Sequence, residues 1–75
     1  MKEVLEFIAK SLVDDPDAVV VTEEQRDDAI VLKLEVAQSD MGKVIGRSGR
    51  IAKAIRQVMN AAASRDKTKV IVDIG

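Results

Sequence analysis

Two glycines separated by two residues are the feature of this 75-residue chain most typical of a binding site. They form the segment Gly46-Arg47-Ser48-Gly49. Glycines at this spacing permit a tight turn and let backbone approach a ligand where a Cβ atom would collide. Because a helix is predicted to begin directly after the second glycine, its free N–H groups and its dipole favour a bound phosphate. The segment therefore indicates a phosphate-binding loop.

Basic side chains surround this segment without any acid. Three of them, Arg47, Arg50 and Lys53, occur where the helix begins, a position at which a cation costs roughly 0.3–1 kcal/mol. A bound phosphate backbone would supply the missing negative charge, and a local rule broken in this way often marks a functional site. The alternative is that Arg47 and Arg50 are solvated loop residues. Between residues 41 and 56 the cations are Lys43, Arg47, Arg50, Lys53 and Arg56.

The charge of the whole chain is divided between its two halves. Residues 1–40 contain four basic and eleven acidic side chains, whereas residues 41–75 contain eight basic and two acidic ones. The formal net charge is only −1. This asymmetry fits an anionic partner at one end of the domain or a self-neutralising surface, and charge alone leaves both interpretations open.

Hydrophobic spacing predicts elements in the order α-β-β-α-α-β, forming a single domain over residues 1–75. The first two strands are joined by a short turn and form a hairpin, while the long connection before the last strand suits a parallel pair. We therefore expect an α+β fold, with a three-stranded mixed sheet, three helices on one face and the other face largely open. The predicted helices are 3–13, about 40–45 with Ser39 as N-cap, and 50–63; the strands are 18–24, 29–37 and 68–74, with a turn at Arg65-Asp66-Lys67.

The same spacing predicts which faces of these elements are buried. In the strand 29–37, alternate residues are apolar and form one buried face. In the two longer helices, apolar residues recur on one side. The predicted buried residues are Val4, Leu5, Ile8 and Leu12 in the first helix, Ile30, Leu32, Leu34 and Val36 in the strand, and Ile51, Ile55, Val58, Met59 and Ala62 in the long helix.

The composition excludes several classes of function. The chain has no Cys and no His, which removes disulfides, zinc-finger sites and Ser–His or Cys–His nucleophile pairs. Neither a membrane-spanning run nor a signal peptide is recognisable, so we expect a cytoplasmic location. No residues specify a metal or a cofactor. The acidic groups are interpreted as solvated surface, and no enzymatic activity is predicted; they are Asp14, Asp15, Asp17, Glu23, Glu24, Asp27 and Asp28.

The element order and the segment Val44-Ile45-Gly46-Arg47-Ser48-Gly49-Arg50-Ile51 resemble a type II KH domain. The stretches Asp40–Gly46 and Arg50–Arg56 resemble the small bacterial single-KH proteins of the KhpA/YlqC family. The resemblance implies binding of single-stranded RNA, with the loop clamping about four nucleotides. It also implies a homodimer, pairing with a Jag-like KH-domain protein, and a role as a post-transcriptional regulator or RNA chaperone linked to cell elongation and division.

Transferred to this sequence, the resemblance assigns a role to each residue of the loop and its flanks. Gly46 and Gly49 shape the turn, and Arg47 and Ser48 face the sugar–phosphate backbone. Ile45 is the best candidate for an aliphatic surface beneath bases, whereas core positions suit Val44 and Ile51 better. The predicted RNA-binding residues are Lys43, Ile45, Gly46, Arg47, Ser48, Gly49, Arg50 and Lys53.

Other binding modules fit the sequence less well. Base stacking on aromatic residues, as in an RRM, is disfavoured because Phe7 is the single aromatic residue. A helix-turn-helix over residues 40–63 does not account for the flanking strands. A protein-interaction module remains an alternative, since Ala61-Ala62-Ala63 with Met59 would permit close contact between helices.

Overall fold

A computed structural model describes residues 1–65 and 67–74 of the chain. The predicted α-β-β-α-α-β order is confirmed, with the ends of the elements displaced by two residues at most. Short 3-10 turns occur at Pro16–Ala18, Gln38–Asp40 and Arg47–Gly49. The helices and strands are α1 (Lys2–Leu12), β1 (Val20–Arg26), β2 (Ala29–Glu35), α2 (Met41–Ile45), α3 (Arg50–Arg65) and β3 (Lys69–Ile74).

The three strands form the predicted mixed sheet, with β2 in the centre. β1 pairs antiparallel with β2 across a tight turn at Asp27 and Asp28. β2 pairs parallel with β3, so that Ala29 lies beside Lys69 and Leu34 beside Ile74. The connection between the parallel strands contains α2 and α3, because a chain must return to the same end of the sheet before it can pair in parallel.

An aliphatic core lies between one face of the sheet and the helices. The only aromatic side chain, Phe7, is 74% exposed on α1. The fold therefore depends on burial of branched aliphatic, alanine and methionine side chains, each large one contributing roughly 1.5–3 kcal/mol. The core consists of Leu5, Ala9, Val19, Val21, Leu32, Leu34, Val44, Ile55, Met59, Ala63, Val70 and Val72.

The buried face predicted for α1 is wrong in part. Leu5 is buried as expected, but its companion is Ala9, whereas Val4 and Leu12 are 41% and 37% exposed. Ile8 is partly buried at the edge of the core. Ala9, one turn after Leu5, therefore takes a buried position, and the larger Val4 and Leu12 lie on the flank of the helix.

In α3, too, the buried side differs in part from the predicted one. Ile55 and Met59 are buried as predicted, together with Ala52 and Ala63. Val58 is 50% exposed, and Ile51 and Ala62 are only partly buried. Two small residues therefore share the buried side of α3 with Ile55 and Met59. The remaining apolar side chains form a second, exposed apolar flank.

Two further local predictions need correction. Ser39 does not cap α2: Asp40 occupies the N-cap position, and no side-chain hydrogen bond caps this helix. Residues 38–40 form a 3-10 turn that leads into α2 instead. In the predicted turn at residues 65–67, Arg65 is the last residue of α3 and Lys67 lies in a turn, while Asp66 lies outside the described residues.

The outer face of the sheet is less open than predicted at its centre. Val31 lies on the face away from the helices and yet is only 6% exposed. It is on the central strand, with Glu24 beside it on β1 and Ile71 beside it on β3. Towards the edges this face is open, since Val20 and Ile71 are 50% and 45% exposed.

Candidate nucleic-acid interface

The turn between α2 and α3 requires glycine at its first position. Gly46 has φ 75° and ψ 175°, a backbone conformation that is essentially confined to glycine. A Cβ atom at this position would lie 2.6 Å from Cγ1 of Ile51. Both the backbone conformation and the neighbouring side chain therefore exclude other residues at Gly46.

The rest of the turn presents two side chains to solvent. The N–H of Gly49 donates to the carbonyl oxygen of Gly46 over 3.2 Å, which closes the turn. Ser48 has a left-handed conformation with φ 58° and ψ 26°, and Gly49 also has a positive φ of 74°. Space for a Cβ exists at Gly49, so its requirement is conformational only. Arg47 and Ser48 are exposed between the two glycines.

α3 begins immediately after this turn and carries unpaired cations there. Its first turn contains no acid. Arg47, Arg50 and Lys53 are exposed, and within residues 1–65 and 67–74 none of them forms an ion pair or a side-chain hydrogen bond. Positive charge at the positive end of a helix dipole is unfavourable without an anion. The arrangement is suited to a phosphate chain lying across the start of α3.

Lys43 differs from these three cations. Its ammonium group forms an ion pair with the carboxylate of Asp14 and lies 3.5 Å from Oδ1 of Asp40. The hydrogen bond with Asp14 is the main reason that the pKa of Lys43 lies above its usual value of 10.5. The structure therefore does not group Lys43 with the unpaired cations of the turn.

Asp40 is a polar residue of this region that the sequence analysis did not single out. It is only 2% exposed, and its Oδ2 accepts a hydrogen bond from the backbone N–H of Asp15 over 3.1 Å. Burial acts to raise the pKa of Asp40, but the N–H groups of Asp14 and Asp15 and the Lys43 ammonium outweigh it, so the pKa lies below its usual 3.8. In the sequence, the signal that could have identified Asp40 is its position at the start of a short helix, three residues before Lys43.

The aliphatic residues around the turn have different degrees of exposure. Val44 is completely buried, in agreement with the core position favoured for it. Ile45 and Ile51 are partly buried and pack against the core. Ile45 therefore keeps some surface next to the turn, while Ile51 lies directly beneath Gly46.

An apolar groove lies between the exposed flanks of α1 and α3. Its volume is about 450 Å³. Among the described residues that line it, Arg50 alone is charged, and Arg50 also adjoins the glycine turn. The groove is lined by Ile8, Leu12, Arg50, Ile51, Ala54, Ile55 and Val58.

Metal and membrane sites are not found in the part of the chain that the structure describes. No three acidic side chains there are grouped so as to hold a metal ion. Among the same residues, no helix has the length and apolar character needed to cross a bilayer.

The chain is similar to known proteins over nearly its whole length. The family model for the KH domain of KhpA and KhpB matches residues 2–74. The chain is 58% identical to the RNA-binding protein KhpA of Clostridium acetobutylicum and 54% identical to that of Caldanaerobacter subterraneus, over 99% of both chains in each case. It is 46% identical to the RNA-binding protein KhpA of Listeria monocytogenes, over 99% of this chain and 97% of the relative. The chain belongs to the family of KhpA and KhpB KH domains.

Proposed function

We propose that this protein binds single-stranded RNA without catalysis, through the turn Gly46–Gly49 and the start of α3. The proposal rests on three cations, Arg47, Arg50 and Lys53, which have no ion-pair partner among the described residues and lie at a helix start that lacks any acid. The relatives' shared description as RNA-binding proteins supports it. The regulatory role in cell elongation and division that the resemblance implies is part of this proposal.

The contacts follow from the chemistry of each group. Arg47, Arg50 and Lys53 neutralise phosphates, and the hydroxyl of Ser48 donates to a phosphate oxygen. The glycines let the sugar–phosphate backbone approach the turn closely. Ile45 offers partly exposed aliphatic surface to a base. Three phosphate contacts predict a slope of about −2 for log affinity against log salt with a single strand.

Reversal of charge at the turn tests this proposal. Arg47→Asp combined with Ser48→Asp should weaken binding of an unstructured oligouridylate by about tenfold or more at low salt, because a phosphate contact is replaced by repulsion. Aspartate tolerates the left-handed conformation of Ser48, so the fold is expected to remain intact. Affinity is measured by fluorescence anisotropy, and folding by circular dichroism.

A matched control lies at the other end of the same helix. Ser64→Asp combined with Arg65→Asp changes the same residue types and the same net charge, about 22 Å along α3 from Arg50. This variant should keep most of the affinity of the wild-type protein. Equal losses in the two double variants, or no loss in either, would contradict a binding site at the turn.

A second candidate function is self-association, favoured by the apolar groove between α1 and α3. Met59 and Ala63 are fully buried in the core and are unavailable for the helix contact suggested by the sequence. We propose that a second copy contacts the exposed flank, including Val58, instead. A Jag-like KH-domain protein is the competing partner for the same flank.

Two valines of equal exposure allow a controlled test of self-association. Val58 in the groove and Val20 on the sheet are both 50% exposed. Val58→Lys should shift the protein from dimer to monomer in sedimentation equilibrium, because a charge would be buried at the contact, whereas Val20→Lys should not. A monomeric wild-type protein would leave a heterologous partner as the occupant, and dimers in both variants would exclude this groove.

A further inference from the structure

The buried carboxylate of Asp40 connects segments that are distant in the sequence. Its Oδ2 accepts the backbone N–H of Asp15, 25 residues earlier, in the connection between α1 and β1. Its Oδ1 lies 3.5 Å from the ammonium group of Lys43, one turn further along α2. Lys43 also pairs with Asp14 of the same connection. The buried contact of Asp40 therefore attaches α2 to the chain segment at residue 15, and the Lys43–Asp14 pair lies exposed beside it.

The glycine turn depends on α2 for its position. α2 has only five residues, far fewer than the roughly 12–15 that an isolated helix needs for marginal stability. Its placement must therefore come from tertiary contacts. The N–H of Gly46 donates to the carbonyl oxygen of Gly42 over 2.8 Å, so the first glycine of the turn is attached directly to this helix.

We propose that Asp40 is a positioning residue for RNA binding: it fixes α2, and through α2 the turn Gly46–Gly49, while Lys43 holds Asp40 and does not contact phosphate. The inference rests on the proposed function. It also changes the role predicted for Lys43: this side chain holds Asp40 in place and does not bind RNA.

Electrostatics and positioning predict opposite effects of removing the charge of Asp40. Loss of a carboxylate near a phosphate-binding turn should strengthen RNA binding if only long-range charge matters. If Asp40 positions the turn, Asp40→Asn should weaken binding, because an amide is a poorer acceptor for the N–H of Asp15 and leaves Lys43 with a weakened partner.

Asp14→Asn is the matched control. This substitution removes the same charge from another partner of Lys43. The side chain of Asp14, however, is 83% exposed, and it accepts no backbone N–H from residues 1–65 or 67–74. We expect Asp40→Asn to weaken binding of an oligouridylate by about tenfold with an unchanged salt slope. Asp14→Asn should bind as tightly as the wild-type protein or more tightly. Tighter binding by Asp40→Asn would overturn the proposal.

Amide chemical shifts of the free protein give a readout that does not depend on RNA. In ¹⁵N-labelled protein well below the unfolding temperature, Asp40→Asn should move the amides of residues 46–49, whereas Asp14→Asn should leave them in place. Unmoved amides in the Asp40→Asn protein would contradict positioning. Absence of RNA binding by the wild-type protein would refute the proposed function alone, since the shift comparison tests positioning by itself.

If the Asp40→Asn protein does not fold, Lys43→Met provides a second test of the positioning proposal. Methionine keeps most of the side-chain bulk and removes the charge. If Lys43 contacts a phosphate, its loss should make the salt slope shallower by about 0.7. The positioning proposal expects lower affinity with an unchanged slope and shifted amides at residues 46–49, and a shallower slope would refute it.

Discussion

The cations before and after Gly46 are placed in different surroundings. Lys43 lies between the carboxylates of Asp14 and Asp40. After Gly46, Arg47, Arg50 and Lys53 are exposed, and they have no ion-pair partner in the described part of the chain. All four were predicted to bind RNA because they adjoin the same glycines. The difference shows that the availability of a cation depends on which groups the fold places beside it.

Among the changes that test the difference between Lys43 and the exposed cations, Gly46→Ala is expected to have the largest effect. The new Cβ would meet Ile51 at 2.6 Å, and alanine would be forced into a conformation essentially confined to glycine. We expect the free energy of unfolding to fall by about 2–4 kcal/mol, from strain and overpacking together. RNA binding should be lost because the turn can no longer present Arg47. Chemical denaturation and RNA titration measure the two effects.

Gly49→Ala is the control within the same turn. Space for a Cβ exists there, so only the positive φ of 74° opposes the substitution. The expected loss in the free energy of unfolding is about 1–2 kcal/mol. If both alanine variants were equally stable, the close packing of Gly46 on Ile51 would not be what determines this turn.

A smaller effect, which disappears at low pH, is expected from the cluster around Lys43. The pKa of Asp40 is lowered in the folded protein, so its carboxylate stabilises the fold above its usual pKa of 3.8 and this contribution is lost as the pH falls through the lowered value. Asp40→Asn should be less stable than the wild-type protein at neutral pH. The difference should shrink as the pH falls below the usual 3.8, where the unfolded chain takes up a proton first, and should vanish below the lowered pKa of the folded protein.

Unfolding curves at a series of pH values measure this difference. Parallel stability profiles for the wild-type protein and Asp40→Asn would show that the carboxylate charge of Asp40 is not stabilising. The contrast between Lys43 and the exposed cations would then depend only on the exposed ones, Arg47, Arg50 and Lys53. At high pH the raised pKa of Lys43 predicts that its contribution persists up to its usual 10.5 and is lost above it.

Much of the fold could be predicted because local patterns carry it. Alternating apolar residues indicated β2, and the spacing of Gly46 and Gly49 indicated the turn. Assigning the buried side of each helix failed in part because hydrophobicity ranks valine above alanine. The orientation of the helices in the folded chain instead buries Ala9 and Ala52 and leaves Val58 at the surface.

The amino-acid sequence alone determined the order of the elements, the pairing of the strands and the position of the glycine turn. These follow from short-range periodicity and from the conformational freedom of glycine. The tertiary structure alone decided that Lys43 is paired, that Asp40 is buried and that α1 and α3 leave an apolar groove between them. Those features depend on residues 25 or more positions apart, and such contacts exist only once the chain has folded.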